Sequence, residues 1–146
     1  MLQLLLILLF PLIQLSTSWE SNFDVAKQRS INENKIILIH FVNKSRDAKN
    51  LKLDKALFET SEFIDYANKQ VVLLKIDVGI KQTGDNEKQF YHNSILLERF
   101  NNKMLAPYTI VTDSEGKVLM HWNHEQPMVA ADFVRLIKKS IEAYKQ

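Results

Sequence analysis

The sequence predicts an α/β fold in which a central, mixed, four-stranded sheet is flanked by helices. Three observations carry that expectation. The runs Ile36 to Val42 and Val71 to Asp77 are rich in β-branched and aliphatic residues and apolar on both alternating faces, as strands covered from both sides are. The segment between them is long enough for a helical crossover, which makes the pair parallel and the unit a right-handed βαβ. Farther on, Tyr108 to Thr112 and Val118 to Trp122 flank Asp113-Ser114-Glu115-Gly116, whose Asp and Gly suit a type I turn closing an antiparallel hairpin.

Taken in order, the chain opens on an almost unbroken apolar run from Met1 to Leu15, too short to span a bilayer comfortably. Ser16-Thr17-Ser18 then places small residues before Trp19, the pattern of a signal-peptidase site, so residues 1–18 are expected to be a cleaved signal peptide. Met1-Leu2-Gln3 lacks Lys and Arg, and a retained membrane anchor is the alternative. Residues 19–146 form one domain, long enough to bury a core without covalent staples. Trp19, Phe23, Ala26 and Ser30 recur at helical spacing and predict a first helix running to about Asn34.

After the first strand, Asn43 to Asp47 is a polar turn. Leu51, Leu53, Leu57 and Phe58 then have helical spacing, and Thr60-Ser61-Glu62 marks a restart in which Ser61 is the expected cap. A kinked or two-part helix results. From Gly79 to about Gln89 the chain is polar and carries two of its three glycines, which predicts an exposed loop. A helix with Ile95, Leu96 and Phe100 inward follows, ending near Asn101-Asn102. The last helix is expected to start at Pro127 and to bury Ala130, Phe133, Val134, Ile137, Ile141 and Tyr144.

Composition restricts function. With 19 basic and 17 acidic residues and no long same-sign block, the surface has no nucleic-acid footprint. No cysteine is present, which excludes disulfides, thiolate metal sites and thiol chemistry by the chain itself. Glycine occurs only at 79, 84 and 116, so neither nucleotide-binding fingerprint can be written. Four histidines, His40, His92, His121 and His124, invite a metal reading, but His121 and His124 straddle a strand end and lack helical alignment. No metal site and no cofactor are expected. His40 alternates with core positions and is expected to be a hydrogen-bonded structural residue. Ser45 fits turn chemistry, since no histidine is placed by sequence to activate it.

The order of elements resembles that of thioredoxins. Lys35-Ile36-Ile37-Leu38 with Phe41, Leu53 to Phe58, Glu59-Thr60-Ser61-Glu62-Phe63, Val72 to Asp77, Leu97-Glu98-Arg99-Phe100, Ala106 to Val111 and Asp113 to Lys117 together are similar to bacterial exported thioredoxin-like proteins. The resemblance covers essentially all of residues 19–146 and implies a thioredoxin-like fold. In active relatives a C-x-x-C motif follows the first strand, its first thiolate favoured by a helix N-terminus. That motif falls on Asp47-Ala48-Lys49-Asn50 here, so Asp47 and Asn50 stand where the two cysteines would be. Neither side chain can form or resolve a mixed disulfide.

Asp47 suits a helix cap, and its alternative role is to imitate a permanent thiolate. Pro107 matches the proline that such proteins hold in cis opposite the motif. Asp47, Asn50, Ala106 and Pro107 are therefore the candidate peptide-binding groove, with docking by strand addition. The resulting expectation is a redox-inactive binding or accessory protein of the bacterial periplasm or cell exterior. Its partner is a protein or peptide, with no nucleic acid and no membrane contact after signal cleavage. The alternatives are an enzyme of other chemistry on the same scaffold, for instance glutathione-dependent, and a structural module of the envelope.

Overall fold

The computed structural model describes residues 17–145, leaving the apolar segment of the expected signal peptide outside it, together with the side chains of Arg46 and Asp47. The elements are β1 (Trp19–Glu20), α1 (Phe23–Glu33), β2 (Ile36–Val42), α2 (Asp47–Leu53), α3 (Ser61–Gln70), β3 (Val71–Asp77), α4 (Glu87–Phe100), β4 (Tyr108–Thr112), β5 (Val118–Trp122) and α5 (Ala130–Lys145). The sheet has the order β1-β3-β2-β4-β5, with β1 and β2 both parallel to β3 and the β2-β4-β5 portion antiparallel. It therefore has five strands, one more than the four expected.

The extra strand comes from Trp19. The apolar spacing counts it with Phe23 and Ala26, but Asn22 intervenes in extended backbone and accepts from the Val25 N–H, so the helix starts at Phe23. Trp19 is left on β1, paired with Leu73 on the sheet edge. Asn34 closes α1 in the left-handed conformation.

Period-two alternation builds two cores. Leu38 of β2, Leu73 of β3 and Val111 of β4 pack with Phe58, Phe63, Phe133 and Ile137 under α3 and α5. Ile37, Ile39 and Phe41 pack on the other face with Phe23, Ala26 and Leu96 of α1 and α4. Ile95 is an exception to its expected inward place: it is 65% exposed, and Asn93 is buried in the helix interface instead. The buried Asn93 amide is accommodated because it donates to the Asp77 carbonyl and accepts from Gln89.

The two-part helix is present, joined by a π-helical turn over Asp54–Phe58. The cap of α3 is Thr60 and not Ser61: the Thr60 hydroxyl accepts from the Phe63 N–H and donates to the Leu57 carbonyl. The hairpin turn is as expected, with Gly116 donating to the Asp113 carbonyl at a φ of 83°. Pro127 lies just ahead of α5, whose first backbone bonds go to Val129. Ala130, Phe133, Val134 and Ile137 are buried as expected, whereas Tyr144 is exposed at the last turn and donates to Asp113.

Candidate functional site

The register of the sheet brings polar side chains into one row. His40 of β2 is paired with Lys75 of β3 on one side and with Thr109 of β4 on the other, and Thr109 is paired with Trp122 of β5. These four residues lie on the face covered by the π-helical turn and α5. The row sits toward the end of β2 that feeds α2, the segment holding Asp47 and Asn50.

His40 is fully buried, and its Nδ1 is 2.9 Å from the Thr109 hydroxyl. The same hydroxyl is 2.7 Å from Nε2 of His124, which reaches inward from the loop after β5 with a φ of 57°. On the opposite side of His40, Nε2 is 3.8 Å from Oδ1 of Asp54, and neither atom has a hydrogen-bond partner. Asp54 directs its other oxygen to Nζ of Lys75 at 3.0 Å. Aromatic rings enclose this file: Phe58 packs on His40 with centroids 4.7 Å apart, and Trp19 packs edge-on against Phe58. The Lys75 ammonium lies 4.5 Å from the Trp19 ring centroid, a cation–π contact that helps hold the short edge strand.

Burial governs the charge of the file. Desolvation holds His40 well below the ordinary histidine range, assisted by His124 and Lys75 and opposed by the Tyr108 backbone. Desolvation, with the Lys49 ammonium of α2 as second cause, lowers His124 to about 4. Both rings are therefore neutral at pH 7. Thr109 has no exposed surface, so its hydroxyl cannot attack a substrate and serves as a bridge.

The sequence-predicted groove residues fall around this file. Asp47 begins α2, and its side chain lies outside the described residues. Asn50 is buried and its amide donates to the Asn43 carbonyl at 2.9 Å, tying α2 to the end of β2. Ala106 is half-buried and Pro107 buried, and the bond between them is cis. Because Phe41 pairs with Tyr108, this peptide flanks the β2 end from which α2 departs. Ser45 is engaged in the turn through Asn43, and no histidine reaches it.

One loop at this end is held rigidly. The buried Asn101 side chain accepts from the Leu105 N–H at 2.9 Å and donates to the Leu105 carbonyl at 2.8 Å, while its carbonyl accepts from Met104. The clamp leaves Met104 and Leu105 projecting at 56% and 41% exposure; Leu51 of α2 is separately exposed at 57%.

Of the other histidines, His121 is exposed on β5 and His92 accepts from the Phe23 N–H at 2.9 Å. Sequence reasoning missed the grouping of His124, Thr109 and Asp54 with His40. The available signal was His40 itself, a titratable residue in the most apolar strand, which requires polar partners from other elements.

Two solved structures share this architecture. One, described as DsbH oxidoreductase, is 23% identical, with a TM-score of 0.75 over 87% of this chain and 85% of its own. The other, a disulphide isomerase from Xylella fastidiosa Temecula1, is 21% identical, with a TM-score of 0.59 over 79% of this chain and 87% of its own. The chain has the thioredoxin-like fold. No family model and no curated protein sequence matches it. Without cysteine, the chain has no thiol of its own with which to carry out disulfide exchange.

Proposed function

We propose that this protein is a redox-inactive, thioredoxin-like binding module that docks a peptide or extended protein segment at the end of the sheet where α2 begins. The observation that carries this reading is the Asn101-clamped loop, which holds Met104 and Leu105 exposed next to Ala106 and Pro107. An apolar side chain held outward by a fully bonded loop loses little entropy on binding, which favours recognition. The docking surface proposed here is the one the sequence suggests, Ala106 and Pro107 with Asp47 and Asn50 of α2, extended by the exposed Met104 and Leu105.

Selection of displayed peptides on the full chain tests the reading. Enriched peptides are expected to lose at least about tenfold in affinity, roughly 1.4 kcal/mol, against M104S/L105S at unchanged melting temperature. Enrichment of nothing, or equal binding to the double variant, would overturn it. Insulin reduction by the protein should stay at the buffer blank, since no thiol is present to turn over.

We also propose that the protein is exported and cleaved after Ser18. The start of ordered pairing at Trp19 supports this, since a mature chain beginning there retains β1. The intact mass of protein recovered from an expressing bacterial cell should correspond to a chain starting at Trp19. A mass including residues 1–18 would favour the retained anchor.

A further inference from the structure

The buried file terminates at His124, in the loop after β5. Nε2 of His124 is engaged by Thr109, while its Nδ1 makes no hydrogen bond among the described residues. The ring feels the positive charge of Lys49 on α2, the helix on which the proposed docking surface also draws.

The direction of the hydrogen bonds decides what Nδ1 offers. A single hydroxyl between two neutral rings donates to one and accepts from the other, so the three groups have only two consistent arrangements. Asp54 selects between them, because its charged carboxylate attracts the ring proton more strongly than the neutral Tyr108 backbone that also faces His40. Its unpartnered Oδ1 is the carboxylate oxygen that faces Nε2 of His40, and a carboxylate only accepts. A proton on that nitrogen gives both buried atoms a complementary neighbour, whereas a bare nitrogen would set two lone pairs against each other. With Nε2 of His40 protonated, its Nδ1 accepts from Thr109, and Thr109 in turn accepts from Nε2–H of His124. Nδ1 of His124 is then left as a bare acceptor.

We infer that Asp54, His40 and Thr109 form a tautomer relay that fixes His124 as a hydrogen-bond acceptor for a docked ligand, making it a specificity-determining residue of the groove. The Lys49 charge felt at His124 disfavours an ammonium or guanidinium donor there, so the donor expected is a neutral one of the peptide, such as a backbone amide. The ligand part of this inference rests on the peptide-docking reading, and the relay itself does not.

Long-range proton–nitrogen NMR on the full chain carrying 15N-histidine reads the tautomers directly. At pH 7 both His40 and His124 are expected as Nε2–H. In Asp54→Asn the amide can donate to Nε2 of His40, which reverses the file and converts His124 to Nδ1–H. Thr109→Val removes the bridge, and His124 should then be the same whether residue 54 is Asp or Asn. Finding His124 as Nδ1–H in the unaltered protein overturns the relay even if no variant folds, as does an Asp54→Asn protein in which His124 keeps its tautomer. Adding a selected peptide should shift the Nδ1 resonance of His124. An unchanged resonance with bound peptide would overturn the ligand role alone, and absence of any peptide binding would overturn the docking reading while leaving the relay to the tautomer measurement.

Discussion

At the scale of single residues, the most consequential choice is a threonine between two histidines. Replacing Thr109 by Val keeps the shape and removes the side-chain hydrogen bond that Nδ1 of His40 and Nε2 of His124 each make among the described residues. Each buried polar atom left unpaired costs about 1–3 kcal/mol, so Thr109→Val should destabilise the protein by roughly 2–4 kcal/mol. Urea unfolding is expected to show a lower midpoint at an unchanged slope, and an unaltered midpoint would mean that water replaces the hydroxyl. Replacing Asn101 by Ala acts differently, because its side chain holds a loop and not a core contact. That variant should lose peptide affinity through a loosened Met104–Leu105 segment, measured against the same peptides as above.

At the scale of elements, the boundary between the π-helical turn and α3 rests on Thr60, whose hydroxyl bonds both Leu57 and Phe63. Thr60→Ala should cost about 1 kcal/mol, whereas Ser61→Ala, on the exposed first turn, should stay within about 0.5 kcal/mol. Thermal or urea unfolding of the two variants side by side checks this, and an equal effect would contradict the assignment of the cap.

Neighbouring residues of the same capping type cannot be separated by sequence pattern, because both satisfy the chemistry and only the path of the chain decides. Trp19 escaped for a related reason: its helical spacing from Phe23 is real, but Asn22 interrupts the helix and the edge of β3 offers it a strand partner. The existence and type of the long periodic elements were legible, though not every inward position within them, as Ile95 shows. The apolar runs of β2 and β3, the turn at Asp113 and the first part of the α5 stripe, Ala130 to Ile137, read correctly from local period, whereas α5 starts at Ala130 and not at Pro127, and Tyr144 at its last turn is exposed. The site was legible only in part. Asp47, Asn50 and Pro107 can be singled out from sequence, but Lys75, His40 and Thr109 become neighbours through strand register, and Asp54 through a π-turn. Those are properties of the assembled sheet, with no short-range pattern to announce them.

At the scale of the whole molecule, the buried histidines make folding depend on pH, and the sign follows from the direction in which burial moves them. His124 is held at about 4 in the folded protein against an ordinary 6.5, and His40 is lowered as well. The unfolded chain therefore binds more protons than the folded one between these limits, so stability rises with pH through that window. It is fully present above about pH 6.5 and is lost progressively as pH falls toward 4. The lowered proton affinity of His124 alone corresponds to roughly 3 kcal/mol, since each tenfold change in proton affinity is worth about 1.36 kcal/mol. Carboxylates also affect stability at the acid end: Asp113 is held below its usual range by hydrogen bonds from Tyr144 and the turn backbone, and its contribution is lost only as pH falls through the carboxylate range. The histidine contribution is isolated by working between pH 7 and 5, above most of that range. Unfolding free energies measured by urea should fall between the two values by about 2 kcal/mol for each histidine that stays neutral in the folded protein, and His124→Gln should remove roughly half of the decline while lowering stability at pH 7, the remainder belonging to His40. A protein equally stable at pH 7 and 5 would mean that His124 is protonated in the native state and that the file of neutral rings does not exist in solution.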